Sequence, residues 1–231
     1  GEVDLWETPA VDMVPIMKTQ ENIVIEVIDP LGTQGWMRMN HLHAPFNNPK
    51  VRQALAMAVH QETYLQALVG DPTLYKTCKA YFICGTPYDS TNGDKGYLEG
   101  NIDAAMKILE AEGVVGHKVV LMQPTDIPVL NSASLVTAQL LRDLKFDVEV
   151  QAMDWSTLTS RRAEQKAVAD GGWNIFHTYA TGADAQSPIA NIGVSGGGLE
   201  RAWFGWPDSA EVEKLRDDFA RETDGAKKKM I

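Results

Sequence analysis

Lys118 to Tyr179 reads KVVLMQPTDIPVLNSASLVTAQLLRDLKFDVEVQAMDWSTLTSRRAEQKAVADGGWNIFHTY, and its hydrophobic period changes four times. Lys118 to Gln123 is a short run rich in Val, Leu and Met, which reads as a strand. Ala133, Val136, Leu140, Leu141 and Leu144 then recur at helical spacing. Val148, Val150 and Ala152 alternate with Glu149 and Gln151, the pattern of a second strand. A helical stretch over Ser156 to Val168, a break at Gly171 and Gly172, and a third strand over Asn174 to Tyr179 complete the order β-α-β-α-β. Consecutive strands separated by helices must run parallel, because a tight hairpin has no room for the helix. The expected fold class is therefore α/β, a mostly parallel sheet covered by helices.

Outward from this core, Asn101 to Glu112 reads as a helix stopped by Gly113, and Ser209 to Glu222 as a closing helix. The basic run Lys227 to Lys229 reads as the solvated end of a helix. Residues 71 to 100 show no sustained period and many Gly, Pro, Asp, Asn and Thr, so they read as a long irregular excursion, a feature that is often functional and equally often structural wrapping. Before it, PFNNP (Pro45 to Pro49) places Asn48 as a helix cap and Pro49 at the first helical position, where its missing N–H costs nothing. Val51, Ala54, Leu55, Ala58 and Val59 share a face, and Gly70 with Pro72 ends the pattern. Asn22 to Asp29 (NIVIEVID) reads as a strand running into a turn at Pro30 and Gly32, and Trp36 to Leu42 as the next strand.

The 231 residues carry 21 Lys and Arg against 31 Asp and Glu, a net charge of −10. That field repels phosphate backbones and anionic lipid, which argues against nucleic acid and membrane surfaces and for small neutral or cationic partners. No apolar run approaches the roughly 20 residues of a membrane span, and Gly1 to Asp4 lacks the basic and apolar regions of a signal peptide. The expectation is a cytosolic protein or one whose signal has been removed.

In open α/β sheets ligands sit beyond the carboxyl ends of the strands. Here those loops hold Thr125 and Asp126, then Asp154 and Trp155, then Thr181, Gly182, Ala183 and Asp184. Trp155 offers a flat apolar wall and Asp184 a negative charge, a combination suited to a molecule with an apolar part and a cationic group. Each has a plainer reading, Trp155 as a core anchor and Asp184 as a cap or solvated charge. Arg161 or Arg162 could take an anionic group bidentately, against the ordinary solvated role of a helical arginine.

Other chemistries find little support. Gly193-Val194-Ser195-Gly196-Gly197 matches the G-x-S-x-G nucleophile elbow, yet a Pro-containing loop precedes it and Gly198 follows it, where a strand and a helix are required. His41, His43, His60, His117 and His177 are scattered and form no H-E-x-x-H, so neither a metal nor a cofactor is expected, and phosphate-binding glycine loops are absent. Cys78 and Cys84 have a spacing compatible with a disulfide in an oxidising compartment and unlike zinc sites, although two unpaired buried cysteines would look the same.

APFNNPKVRQALAMAVHQETYLQALVG (Ala44 to Gly70) resembles a recurrent segment of the family 5 extracellular solute-binding proteins, the receptors of peptide, nickel and related ABC importers, with His60 and Gln61 replacing the commoner pair. GEVDLWETP, VEVQAMDWSTLTSRR, ADAQSP and FGWPDSAEVEKLRDDFARETD resemble further stretches of that family in the same order, so the resemblance covers nearly the whole chain. It implies a periplasmic-binding-protein-like lobe of a type II, two-lobed parent: residues 1–40 as the end of a first lobe and a crossover strand, residues 41–231 as a second ligand-binding lobe incomplete at its carboxyl end. It also implies a periplasmic, monomeric receptor without chemistry of its own, whose partners are a small-molecule or peptide ligand and the membrane permease of an ABC importer. By the resemblance, Asp184 pairs with a ligand ammonium and Trp155 lines a side-chain pocket. Thr178 stands where some oligopeptide receptors carry an arginine, which leaves room for a shorter or modified peptide or another amine-bearing solute. Trp36, Arg38 and Asn40 on the crossover strand are candidates for the cleft, with core packing as the alternative. The competing expectations are a serine hydrolase using Ser195 and a ligand-sensing domain of a signalling system.

Overall fold

The computed structural model describes residues 3–7 and 9–231. Gly1, Glu2 and Thr8, and with them part of the GEVDLWETP stretch and of the Gly1 to Asp4 segment, lie outside the described residues. After a short helix α1 (Val14–Met17), the chain forms strand β1 (Thr33–Met39) and helices α2 (Pro49–Ala58), α3 (Gln61–Leu68) and α4 (Ile102–Ala111). Then come β2 (Lys118–Pro124), α5 (Pro128–Asp143), β3 (Asp147–Met153), α6 (Trp155–Arg161) and β4 (Ile175–Thr181). The short helices α7 (Gly182–Ala185) and α8 (Gly198–Arg201), the longer α9 (Ala210–Arg221) and α10 (Gly225–Lys228) follow.

The four strands form one sheet in the order β1-β4-β2-β3. β2 pairs in parallel with both β3 and β4, as the β-α-β-α-β reading requires, and β1 closes the sheet antiparallel to β4. Successive side chains of β2 point to opposite faces. Val119 and Leu121 join Phe46, Val51, Leu55, Leu109 and Leu141 beneath α2, α4 and α5. Val120 and Met122 join Leu158, Trp173, Phe176 and Trp206 on the other face. The second face is thus built around aromatic rings.

Asn48 caps α2 as the sequence specifies, and the helix starts expected at Asn101 and Ser209 are caps as well. The Asn48, Asn101 and Ser209 side chains accept from the amides of Lys50, Ala104 and Val212 and open α2, α4 and α9. Elsewhere the structure corrects local expectations. NIVIEVID forms no strand: Val24, Val27 and Ile28 are exposed, and among the described residues no second strand lies beside them to supply the hydrogen bonds a strand needs. The strand expected over Trp36 to Leu42 lies at Thr33–Met39, where β4 provides its partner. The pattern ending at Gly70 is two helices, interrupted at Val59 and His60, because the carbonyls of Ala56, Met57 and Val59 accept from Leu98, Asn101 and Gly100 at the end of the irregular excursion. The helix expected over Ser156 to Val168 stops at Arg161, and the following chain folds back onto Gly172 so closely that a Cβ there would lie 2.0 Å from the Lys166 carbonyl oxygen.

Candidate ligand site

The carboxyl ends of the parallel strands lie on one rim, and their loops are tied together there. Asp126, after β2, accepts from the Trp155 amide at 2.8 Å. Asp154 caps α6 by accepting from the Thr157 amide at 2.9 Å and its hydroxyl at 2.7 Å, and these bonds hold its carboxyl below the usual carboxylate range. After β4, Thr181 caps α7: the Asp184 amide donates to its hydroxyl oxygen at 3.3 Å, and that hydroxyl donates to the Asp184 carboxylate at 2.8 Å. Asp184 is exposed and, among the described residues, forms no ion pair.

Asp184 stands at the edge of a cavity of about 300 Å³ whose walls include Trp36, Tyr179, Ile192 and Trp203. Trp36 and Trp203 meet edge to face at 6.1 Å. Trp203 continues the wall away from Asp184. The Arg162 guanidinium lies 5.3 Å from the Trp203 centroid, 4.7 Å from that of Phe204 and 5.7 Å from that of Trp155. Such stacking attracts the cation, but the rings accept no strong hydrogen bonds. The Arg162 Nε is buried without a hydrogen-bond partner, and burial lowers the pKa of the guanidinium from its ordinary value. The rim therefore carries a carboxylate at one end and, at the other, a guanidinium without an ion pair among the described residues, joined by an aromatic surface.

Other candidates have structural roles. Arg38 spends its fork on the carbonyls of Phe204 at 2.6 Å, Gly193 at 2.8 Å and Trp203 at 3.5 Å, so it clamps the aromatic loop to β1. Arg161 donates to Gln151 and to the Gly171 carbonyl. Asn40 is fully buried; its side chain donates to the Trp173 carbonyl and accepts from the Leu42 amide, which corrects its placement in a cleft. Thr178 is buried opposite Trp36 in the β1–β4 pairing, so no charge stands at that position. Ser195 follows a 3-10 turn and its hydroxyl lies near the Arg201 carbonyl and Glu213, which is not a strand-to-helix elbow. No group of three or more His, Cys, Asp and Glu able to hold a metal occurs among the described residues.

Sequence reasoning missed Tyr179, Ile192, Trp203 and Phe204. For Tyr179 a signal existed, since it precedes the Asp184 loop on the same strand. Trp203 and Phe204 belong to no regular element, and contacts distant in sequence bring them to the rim, among them the clamp from Arg38, 165 and 166 residues away. A second, larger groove of about 550 Å³ runs beside α9, where Lys214 pairs with Asp218 and Glu213 with Arg216, so the charges there compensate one another.

Comparison with known proteins gives a consistent result. The family model for bacterial extracellular solute-binding proteins, family 5 (middle region), matches residues 1–197. A "probable peptide ABC transporter periplasmic-binding protein" of Sinorhizobium fredii is 35% identical over 219 residues, which are 94% of this chain and 41% of that protein. The chain thus spans less than half the length of that relative. Among solved structures, the periplasmic binding protein DppA of Helicobacter pylori, in complex with the peptide STSA, superimposes with a TM-score of 0.74 at 17% identity, over 96% of this chain and 42% of that one. NikA of Staphylococcus aureus, in complex with Ni(L-His)2, does so with a TM-score of 0.74 at 14% identity, over 96% and 45%. At such identities the structural matches speak for the fold alone.

Proposed function

The chain belongs to the family 5 bacterial extracellular solute-binding proteins, and from that premise we propose that it is the ligand-gripping part of a periplasmic receptor that delivers an amine-bearing solute, a short or modified peptide, to the permease of an ABC importer. In this reading residues 41–231 are the second lobe, residues 1–40 carry the end of a first lobe and the crossover to it, and the receptor performs no chemistry. Ligand stabilises the closed receptor only in so far as it touches both lobes.

The observation that carries the proposal is the Asp184 carboxylate, without a cationic partner among the described residues, at the mouth of a cavity walled by Trp36, Tyr179 and Trp203. A ligand ammonium enclosed there loses its water and needs a carboxylate; removing one member of such a pair typically costs ~3 to 5 kcal/mol. The aromatic walls receive an apolar side chain, with Trp155 extending the surface through Arg162 and Trp203. Arg162 answers an anionic group of the ligand, because its guanidinium is held against aromatic faces and, among the described residues, pairs with no carboxylate. Thr181 acts through Asp184, whose carboxylate it holds.

The test is thermal unfolding of the full-length protein containing this chain, with di- and tripeptides bearing free, acetylated or amidated ends. At ~100 times Kd, a ligand adds about 2.7 kcal/mol to stability, a shift of several degrees. Free-amine peptides are expected to raise the midpoint, acetylation or Asp184→Ala to abolish the rise, and carboxyl amidation or Arg162→Gln to reduce it. A rise that survives acetylation and Asp184→Ala would remove Asp184 as the anchor. No rise with any peptide would remove the peptide assignment.

A further inference from the structure

The irregular excursion between α3 and α4 has no part in the site as described above, yet two of its attachments to the rest of the protein lie on one path to that site. At its base, Gln61, the first residue of α3, embraces Cys78: its amide nitrogen donates to the Cys78 carbonyl at 2.7 Å and its amide oxygen accepts from the Cys78 amide at 2.8 Å. Cys78 is joined to Cys84 in a disulfide, so residues 79 to 83 form a short closed loop. At the tip of that loop the Tyr81 carbonyl accepts from the Gln34 side chain on β1 at 3.1 Å. The other end of the same Gln34 amide accepts from the Trp36 indole nitrogen at 2.8 Å. Trp36 is a wall of the cavity beside Asp184.

These contacts form one continuous path from α3 through the disulfide loop and Gln34 to Trp36. A planar amide that donates at one end and accepts at the other is fixed in orientation only when both partners are present. Without the Tyr81 carbonyl, Gln34 keeps a single bond and a long side chain with several rotamers, and Trp36 loses a located acceptor. The closed loop supplies that carbonyl at a defined position, because tying its ends removes most of the conformations open to residues 79 to 83.

We propose that the Cys78–Cys84 loop and Gln34 are positioning elements of the ligand pocket: the loop holds Gln34, and Gln34 holds the Trp36 indole in the orientation that forms the pocket wall. The inference rests on the ligand-site reading for its binding consequence, but its structural content, the fixed Trp36 indole, is independent of any ligand. The excursion therefore acts on ligand selection without contributing the anchoring carboxylate.

The experiment has two readouts on the full-length protein. The first is the near-ultraviolet circular dichroism band that Trp36 contributes beside Trp203, isolated as the difference between the unmodified protein and Trp36→Phe. Gln34→Ala, and separately Cys78→Ser combined with Cys84→Ser, are each expected to reduce that band by half or more while the far-ultraviolet spectrum is unchanged. Gln34→Glu keeps an acceptor for the indole but loses the donor to Tyr81, and is expected to give an intermediate band. The second is the affinity for the tripeptide that most stabilises the unmodified protein. Gln34→Ala is expected to weaken it by roughly two- to tenfold, the range of one neutral hydrogen bond. A full Trp36 band in both Gln34→Ala and the double cysteine variant would overturn the inference, and Gln34→Ala alone decides it if the double variant fails to fold. If no tripeptide binds the unmodified protein, the ligand reading falls and the dichroism still decides this one.

Discussion

At the scale of single residues, the polar groups inside the lobe are as informative as those on its rim. His177, on β4, is 4% exposed and its Nε2 lies 2.8 Å from the Thr137 hydroxyl, which in turn lies 2.7 Å from the Tyr64 hydroxyl. This chain ties β4 to α5 and α3 through the core. Burial pushes the Tyr64 phenol up to about 12 and the His177 imidazole down to about 4. A histidine kept neutral by the fold contributes nothing to the pH dependence above its unfolded value near 6.5, where both states are deprotonated. As pH falls from 6.5 towards 4, the unfolded chain takes up the proton first, and His177 costs up to roughly 3 kcal/mol of stability. His41, pushed down to about 3 by burial and then by Arg52 and Arg38, adds a loss over the same window and below it. Urea midpoints are therefore expected to fall steadily between pH 7 and 5. His177→Gln, which can still bond Thr137, should flatten that fall by about half, whatever it does to the midpoint at pH 7. A flat profile in the unmodified protein would mean that neither ring is held neutral.

At the scale of elements, helix lengths were set by what the next segment must reach. The amphipathic pattern of α4 and α9 was legible because caps and apolar spacing are local signals; Asn101 and Ser209 mark starts that the structure shares. α6 is shorter than its sequence pattern suggests: Ala163 to Val168 has acceptable helix propensity, but the backbone there must turn to lay Lys166 and Ala167 against Gly172. Gly172→Ala places a methyl on the Lys166 carbonyl and is expected to cost about 1 to 3 kcal/mol, read as a lower thermal midpoint. Removing the α6 cap with Asp154→Ala should cost ~1 kcal/mol, because the Thr157 amide loses its acceptor. Because α6 carries Trp155 and leads into Arg162, the same variant should also weaken ligand binding, whereas Ser209→Ala, at the start of α9, should lower stability alone. Equal loss of affinity in both would show that α6 has no special part in the site.

At the scale of the whole molecule, one segment behaves as its composition does not suggest. Ile23 to Ile28 has the residues of a strand, but Val24 is 82% and Val27 77% exposed. Strand propensity describes how well a side chain fits a pleated, half-buried surface; it cannot provide the surface. In this chain the amides of Val24 to Ile28 are expected to exchange with solvent near the unprotected rate, while Val120 and Leu121 in β2 exchange only on global unfolding. Protection of the segment equal to that of β2 would mean that it pairs in solution. At the same scale, Gly205 (φ +97°) permits the loop bearing Trp203, Phe204 and Trp206 to lie on β1, since a Cβ there would stand 2.5 Å from the Met39 carbonyl oxygen. Gly205→Ala should therefore loosen the aromatic wall, with a lower thermal midpoint and a smaller near-ultraviolet dichroism signal.

Sequence alone is enough for the parallel β2, β3 and β4 core and for the strand-end loops that hold Asp184 and Trp155. Periods, caps and glycine stops act over a few residues, and the parallel order follows from them by sterics and handedness. Packing in three dimensions decides which nominated side chains are spent inside the protein and which are not. Arg38, Arg161 and Arg162 are alike in sequence terms, but the first two find acceptors in Phe204, Gly193, Gln151 and Gly171, while the third meets aromatic faces. A guanidinium's availability is the difference between its donors and the acceptors that packing brings to it, and those acceptors come from segments up to 166 residues away.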